Sequence, residues 1–133
     1  MAGQSEDPSG EGGPAAGADP QIAALPPGFT PPARTLETAG GSILVDAAGM
    51  ALYVFDDDAP GLSNCLDRCA ENWPPLTADA TDVAGGAWGI IIRDDGVRQW
   101  TYRGRPLYTW TNDKKPGDTT GDNVNDTWHL ARP

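Results

Sequence analysis

Residues 49–58 read GMALYVFDDD, and residues 104–113 read GRPLYTWTND. Both stretches follow the pattern G-x-x-L-Y-x-(F/W)-x-x-D at a constant offset of 55 positions, and a Pro-Gly pair comes shortly after each. In a β-strand the Tyr and the aromatic residue two positions later lie on the same face. The repeat therefore predicts two related β-rich halves that pack their aromatic faces together.

Sequence on both sides of the motif is also rich in strand signals. Residues 42–45 and 51–55 flank a turn-forming stretch in which Gly49 is placed to adopt a positive φ, which predicts a β-hairpin. Aromatic and β-branched residues predict three further strands, which short polar turns join, at residues 87–92, 98–102 and 107–111. They predict a final strand at residues 127–131.

One segment has a helical pattern. Residues 65–71 can form a short helical turn with Ser63 or Asn64 as its N-cap. The Pro-Pro pair at 74–75 prevents the helix from continuing. The sequence thus predicts an all-β fold: a small single domain of two pseudo-repeated hairpin and meander halves with one short helical turn.

The first 40 residues differ in composition from the rest. Of these, 22 are Gly, Pro or Ala, and Phe29 is the only aromatic residue. Such a stretch buries too little apolar surface to offset its conformational entropy. We therefore predict a disordered tether over residues 1–40 and one β domain over residues 41–133.

Charge and motifs narrow the class of function. The chain carries 19 acidic and 9 basic side chains, for a net charge of −10. Nucleic acids and anionic membrane surfaces are bound by clustered Lys and Arg, so we expect neither as a partner. The sequence also lacks G-x-S-x-G, H-E-x-x-H and phosphate-binding glycine motifs. We therefore expect a protein that is not an enzyme.

The repeated motif resembles the hallmark of a family of bacterial secreted-repeat lipoproteins, Y-x-(F/W/Y)-x-x-D. The resemblance runs from about Leu44 to Pro133 and includes SNC at 63–65, NWPP at 72–75, KPGD at 115–118 and the closing WH at 128–129. Members of this family are exported and often lipid-anchored, and no biochemical activity is settled for them. The resemblance therefore implies an extracytoplasmic protein, in contact with a membrane only through an N-terminal lipid anchor that this chain does not show.

Two interpretations are open for the aromatic and acidic residues of the motif. They can form a symmetric binding cleft in which aromatic rings stack on a ligand. Alternatively, they are structural, and each Asp accepts backbone N–H bonds of the following Pro-Gly turn, which would lower its pKa and make its contribution fade on acidification. The candidate binding residues are Tyr53, Phe55, Asp58, Tyr108, Trp110 and Asp113.

The two cysteines, Cys65 and Cys69, also allow two interpretations. A disulfide suits an exported protein. On a regular helix, however, side chains four residues apart have Cβ atoms roughly 5–6 Å apart, while a disulfide needs about 3.5–4.5 Å, so a bridge requires a distorted turn. If the helix is regular, both thiols point the same way and could bind a soft metal such as copper together with His129 and Met50.

A second metal interpretation concerns the loop at residues 118–126. Asp118, Asp122 and Asp126 are spaced like the oxygen ligands of calcium loops. The loop lacks the glutamate that completes such a site, and Asx-rich turns produce the same spacing without a metal. We therefore expect no cofactor, with copper and calcium as the alternatives.

Taken with the resemblance, these features predict a non-catalytic exported domain that binds an envelope protein or a small ligand. The competing function is a copper-binding or electron-transfer accessory protein that uses Cys65, Cys69 and His129. The first function predicts an envelope protein or a small ligand as the partner and a disulfide between the cysteines. The second predicts copper as the ligand and two free thiols.

Overall fold

The computed structural model describes residues 26–133, and within this range the fold is built from short antiparallel strands. This confirms the predicted all-β fold with one short helix. In chain order the elements are β1 (Ala33–Thr38), β2 (Gly41–Asp46), β3 (Tyr53–Phe55), α1 (Arg68–Asn72), β4 (Trp88–Ile92), β5 (Arg98–Tyr102), β6 (Arg105–Pro106), a 3₁₀ turn (Val124–Asp126) and β7 (Trp128–Leu130).

Strand β1 lies inside the segment predicted as a disordered tether. It pairs in antiparallel register with β2, where Arg34 faces Val45 and Leu36 faces Ile43. Leu36 packs against the buried core. The average composition of residues 1–40 hid this strand, because the alternating residues 33–38 were outweighed by the Pro, Gly and Ala around them. The folded part therefore begins earlier than residue 41, and the predicted disorder of residues 1–25 lies outside the described residues.

The turn at residues 46–49 forms as predicted, with Gly49 at φ +86°. Its backbone N–H donates to the Asp46 carbonyl at 2.9 Å. The two strands beside it do not continue as a hairpin, however. Only one bridge, Val45 to Ala51, joins them, and β3 pairs with β7 instead.

The predicted meander is present as the three-stranded sheet β4-β5-β6. Its third strand is Arg105–Pro106 rather than residues 107–111. The Leu107 N–H still donates to the Trp100 carbonyl of β5 at 3.1 Å. Beyond Leu107 the chain leaves this sheet, and Tyr108 forms isolated bridges with Tyr53 and Pro75. A contact with the other half of the domain thus takes the place of the predicted strand.

Equivalent residues of the two halves meet at the centre of the molecule. The Tyr53 N–H donates to the Tyr108 carbonyl at 2.8 Å, and the Tyr108 N–H donates to the Tyr53 carbonyl at 3.0 Å. The bond from Ala131 N–H to the Leu52 carbonyl has its counterpart, 55 positions away, in the bond from Leu76 N–H to the Leu107 carbonyl. The halves are therefore related by a pseudo-twofold axis, and the last segment of each half pairs with the other half.

A column of four aromatic rings crosses this axis. Trp73 and Trp128, which are equivalent residues of the two halves, stack with ring centroids 3.8 Å apart and an interplanar angle of 2°. Phe55 stacks on the outer face of Trp128 at 4.2 Å, and Trp110 stacks on Trp73 at 3.9 Å. The predicted packing of the two aromatic faces is thereby confirmed.

Helix α1 is shorter and begins later than the predicted residues 65–71. Asp67 stands before its first residue with φ +56° and makes no side-chain cap. Neither predicted cap residue acts as one, because the Ser63 hydroxyl bonds to Tyr108 and the Asn64 amide donates to the Asp57 carbonyl. Among the helices of residues 26–133, none has the length and apolar character needed to cross a membrane.

Candidate functional site

The repeated tyrosines and aspartates form two hydrogen bonds that run between the halves. The Tyr53 hydroxyl donates to Asp113 Oδ2 at 2.7 Å, and the Tyr108 hydroxyl donates to Asp58 Oδ2 at 2.6 Å. Each tyrosine of one repeat is therefore paired with the aspartate of the other. We call these four side chains the Tyr-Asp joint.

Both aspartates also accept backbone N–H bonds, but not from the Pro-Gly turns as predicted. Asp58 Oδ1 accepts from the Asn64 N–H at 2.6 Å, and Asp113 Oδ1 accepts from the Thr120 N–H at 2.9 Å and the Thr120 hydroxyl at 2.6 Å. The donors lie several residues beyond each turn, because the following loop folds back over the carboxylate. The structural interpretation of the motif therefore accounts for these contacts.

The six candidate binding residues come together, but not as an open cleft. Tyr53 and Tyr108 are completely buried, and Asp113 is only 6% exposed. Phe55 and Trp110 are the half-buried ends of the aromatic column. A ligand cannot reach the buried members, so a cleft made from this set does not describe the folded protein.

Burial shapes the acid–base properties of the joint. It raises the pKa of both Tyr53 and Tyr108 far above the usual range, and the hydrogen bond of each to an aspartate adds to the effect. Burial also raises the pKa of Asp58, and this outweighs the opposing hydrogen bonds from Tyr108 and Asn64. For Asp58, the lowered pKa expected from sequence is therefore wrong.

The raised pKa of Asp58 gives a testable pH dependence. Because the folded state holds this proton more tightly than the unfolded state, ionisation of Asp58 costs stability as the pH rises above the unfolded-state pKa, about 3.8. We expect the wild type to gain stability relative to Asp58→Asn as the pH falls through the raised pKa towards this value. Urea melts of both proteins across this pH range measure the difference.

Asp57→Asn is the matched control for that experiment, because it removes a carboxylate from the neighbouring, exposed position. A wild type that instead loses stability relative to Asp58→Asn on acidification would show that hydrogen bonding, not burial, determines the pKa of Asp58.

A buried arginine in the polar turn between β4 and β5 extends the joint. The Arg93 guanidinium donates to Ser63 Oγ at 2.9 Å and to the Cys65 carbonyl at 2.6 Å, and it pairs with Asp95 at 3.0 Å. A hydroxyl has one proton, and that of Tyr108 goes to Asp58, so Ser63 donates to Tyr108 at 2.6 Å. Arg93 is thus connected through Ser63 to the Tyr-Asp joint.

The same arginine secures the loop that contains the disulfide. Cys65 and Cys69 are bonded to each other, with Cα atoms 5.1 Å apart, which confirms the disulfide interpretation. Cys65 lies before the start of α1, so the bridge closes on a distorted turn rather than on a regular helix. In this oxidised form the two sulfurs are not thiolates and do not offer the ligands that the copper interpretation requires.

His129 is hydrogen-bonded to an aspartate and not to the cysteines. Its Nε2 is 2.8 Å from Asp56 Oδ2 at the exposed surface, and Asp56 Oδ1 is 3.5 Å from Arg105 Nη2. Within residues 26–133, no three His, Cys, Asp or Glu side chains are arranged to hold a metal ion. The structure therefore does not bring Cys65, Cys69 and His129 together as a ligand set.

Two of the three aspartates of the calcium interpretation, Asp118 and Asp122, have separate structural partners. Asp118 accepts the N–H groups of Lys114 and Lys115, at 2.8 and 3.1 Å. Asp122 accepts the Leu130 N–H at 3.2 Å. Asp126 lies at the end of the 3₁₀ turn with φ +58°. These contacts organise the loop rather than direct three carboxylates to one point.

A groove of about 270 Å³ opens beside the second cluster of buried apolar side chains. Val54, Leu107, Leu130 and Ala131 provide its apolar lining, and Tyr102 lies beside them. The remaining lining residues are three arginines, Arg103, Arg105 and Arg132. We call this feature the arginine groove; the motif analysis did not reveal it, because its residues are scattered along the chain.

Fold and bonding together define a duplicated, disulfide-bonded β domain whose two halves are interlocked by their repeated motifs. The model of the family described as a secreted repeat of unknown function matches residues 34–77 and 89–132, two segments separated by the same 55 positions. The chain belongs to this family. No curated protein and no solved structure matches it significantly. The secreted character of the family supports an extracytoplasmic location, where a disulfide is stable.

Proposed function

We propose that this chain is a non-catalytic binding domain of the cell envelope that acts without a bound cofactor. The family assignment and the disulfide support a place outside the cytoplasm. The conspicuous residues of the motif are occupied in joining the two halves, so the binding surface of this proposal is a different one. Attachment to a membrane through a lipid is part of the proposal.

The observation that carries the proposal is the arginine groove. Ligand sites are typically concave and mostly apolar, with a few polar groups that orient the ligand. The groove combines an apolar lining, which includes Val54 and Leu130, with polar groups at Tyr102 and the three arginines. Its volume of about 270 Å³ suits a small molecule or a single side chain of a partner protein.

A titration with 1-octanol, followed through the methyl signals of a ¹³C-labelled protein, tests the proposal. We expect the largest saturable shifts at the methyl groups of Leu130, the part-exposed leucine of the lining, because burial of the alkyl chain against it removes apolar surface from water. The methyl groups of the buried Val54 and Leu107 should shift less. Exposed apolar side chains elsewhere on the surface serve as internal controls: Leu62, Val83 and Ile92. Absence of saturable shifts, or equal shifts of the groove and control methyl groups, would overturn the proposal.

A further inference from the structure

We infer that the arginine groove selects a small ligand with an anionic head group and a short apolar tail. This inference rests on the proposed function and names the chemical class of its ligand. The shared chemistry is a carboxylate or phosphate group attached to a short alkyl or aryl chain.

The first observation is the charge of the groove in a strongly acidic protein. The chain has nine Lys and Arg side chains against 19 acidic ones. Three of the nine, Arg103, Arg105 and Arg132, line this one groove, and its lining contains no Asp or Glu. A positively charged apolar concavity on an otherwise acidic protein attracts small anions and repels cations.

The duplicated fold supplies an internal control for the role of these arginines. At the offset of 55 positions, Met50 corresponds to Arg105 and Thr77 corresponds to Arg132. Arg103 lies in a turn whose counterpart, before Gly49, consists of alanines at residues 47–48. The first half forms β1 and β2, the counterparts of β4 and β5, without a single charge at the three positions that correspond to the arginines. The arginines are therefore not requirements of the fold.

Two apolar residues of the groove, Leu107 and Ala131, have apolar counterparts in the first half, whereas its arginines have uncharged ones. Leu107 corresponds to Leu52, and both are completely buried. Ala131 corresponds to Leu76, and the two make equivalent backbone bonds to the opposite half. Packing is thus shared between the halves, while the guanidinium groups belong to the second half only.

Backbone geometry holds one of the arginines, Arg103, in place. Arg103 and Gly104 form the two-residue turn between β5 and β6, with φ values of +52° and +83°. The Gly61 N–H donates to the Gly104 carbonyl at 2.8 Å, which fixes the turn to the other half of the domain. A positive φ is uncommon for a non-glycine residue, and asparagine or glycine is usual in such a turn. Arginine therefore stands at this position despite its backbone preference.

Existing contacts of Arg105 and Arg132 leave capacity for an anion. Arg105 is half-exposed, and its ion pair with Asp56 spans 3.5 Å at the surface, where such pairs are weak. Arg132 Nη1 donates to the carbonyls of Gly40 and Ser42, at 3.3 and 3.2 Å. A guanidinium has five N–H donors, so these two bonds orient Arg132 without using its full donor capacity.

The volume limits the apolar part of the ligand. Typical pockets for drug-sized molecules measure roughly 300–1,000 Å³, and this groove of about 270 Å³ is at the lower end. A short acyl or aryl group fits this size better than a long lipid chain. A bidentate guanidinium contact then fixes the head group.

Calorimetric titrations with octanoate and 1-octanol, which share a chain length and differ in head-group charge, test the inference. We expect octanoate to bind at least tenfold more tightly than octanol and to lose affinity as salt is added. Octyl phosphate in the same series distinguishes a phosphate from a carboxylate head group. Binding of either anion more tightly than octanol supports the inference.

The decisive variants replace the arginines by the residues of the first half. In Arg105→Met/Arg132→Thr, octanoate affinity should fall at least tenfold while octanol affinity stays within twofold. Arg68→Met removes an exposed charge elsewhere and should change neither affinity by more than twofold. If the double variant unfolds, Arg105→Met alone still removes a groove charge at a half-exposed site.

The outcomes separate the two proposals. Octanol binding in the groove without any preference for octanoate overturns the ligand class but not the binding function. Failure of both compounds to bind overturns both. Loss of octanoate binding in Arg68→Met to the same extent as in the double variant would also overturn the inference, since it would show only the effect of net charge.

Discussion

Replacing Trp128 by alanine is expected to lower the free energy of unfolding by about 3–5 kcal/mol. The indole is 3% exposed and stacks between Phe55 and Trp73, and the ring of Tyr108 meets it edge-on at 5.1 Å. Removal leaves a cavity across the pseudo-twofold axis, where neither half can close it alone. Against a total stability of roughly 5–15 kcal/mol, a loss of this size should be visible directly in urea melts.

Trp110→Ala is the matched control, because Trp110 lies at the outer end of the same column and is only half-buried. Trp110→Ala should lower the free energy of unfolding distinctly less than Trp128→Ala does. Trp73→Ala, at the position equivalent to Trp128, should cost a similar amount to Trp128→Ala. If Trp110→Ala and Trp128→Ala lowered the free energy of unfolding equally, the stack on the axis would not have a central role in stability.

Asp113→Ala is expected to lower the free energy of unfolding by about 1–3 kcal/mol, because it leaves the buried Tyr53 hydroxyl without an acceptor. The Tyr53 hydroxyl and the N–H and hydroxyl of Thr120 all direct their hydrogens at this carboxylate. Asp58→Ala removes the matching carboxylate of the other half at a more exposed position. Asp58→Ala should lower the free energy of unfolding less than Asp113→Ala does. Urea melts at neutral pH compare the two variants.

Double-mutant cycles test the exchange of partners between the repeats. Tyr53→Phe removes only the hydroxyl that donates to Asp113, so it should couple to Asp113→Ala by about 1 kcal/mol or more. The same change should show little coupling to Asp58→Ala, although Tyr53 and Asp58 belong to one repeat. Coupling within a repeat instead of between repeats would contradict the interlocked arrangement.

Sequence was most informative where local chemistry dominates. The turn at Gly49 and the antiparallel pair formed by residues 87–92 and 98–102 followed from turn residues and strand propensity, and the structure agrees. Strand β1 was missed because composition averaged over 40 residues conceals six alternating ones. The segment 107–111 was assigned to the wrong partner because strand propensity does not specify which strand pairs with which.

Prediction of the site was limited in a similar way. The motif marked Tyr53, Asp58, Tyr108 and Asp113 as important, but a pattern cannot distinguish a buried joint from an open cleft. Arg93 was read as part of a polar turn, since burial of a charge depends on partners far away in sequence. A comparison of the two halves at Met50 and Arg105 was the available signal for the arginine groove.

By itself, the sequence determined the duplication, the all-β class, the family and the candidate cysteine pair, because repeats and strand patterns are local properties of the chain. Tertiary structure alone decided that Tyr53 bonds to Asp113 and Tyr108 to Asp58. It also brought Arg103, Arg105 and Arg132 to one groove. These pairings join residues as many as 60 positions apart. Which of two chemically identical partners a side chain meets depends on the path of the whole chain, and two equal motifs leave that choice open.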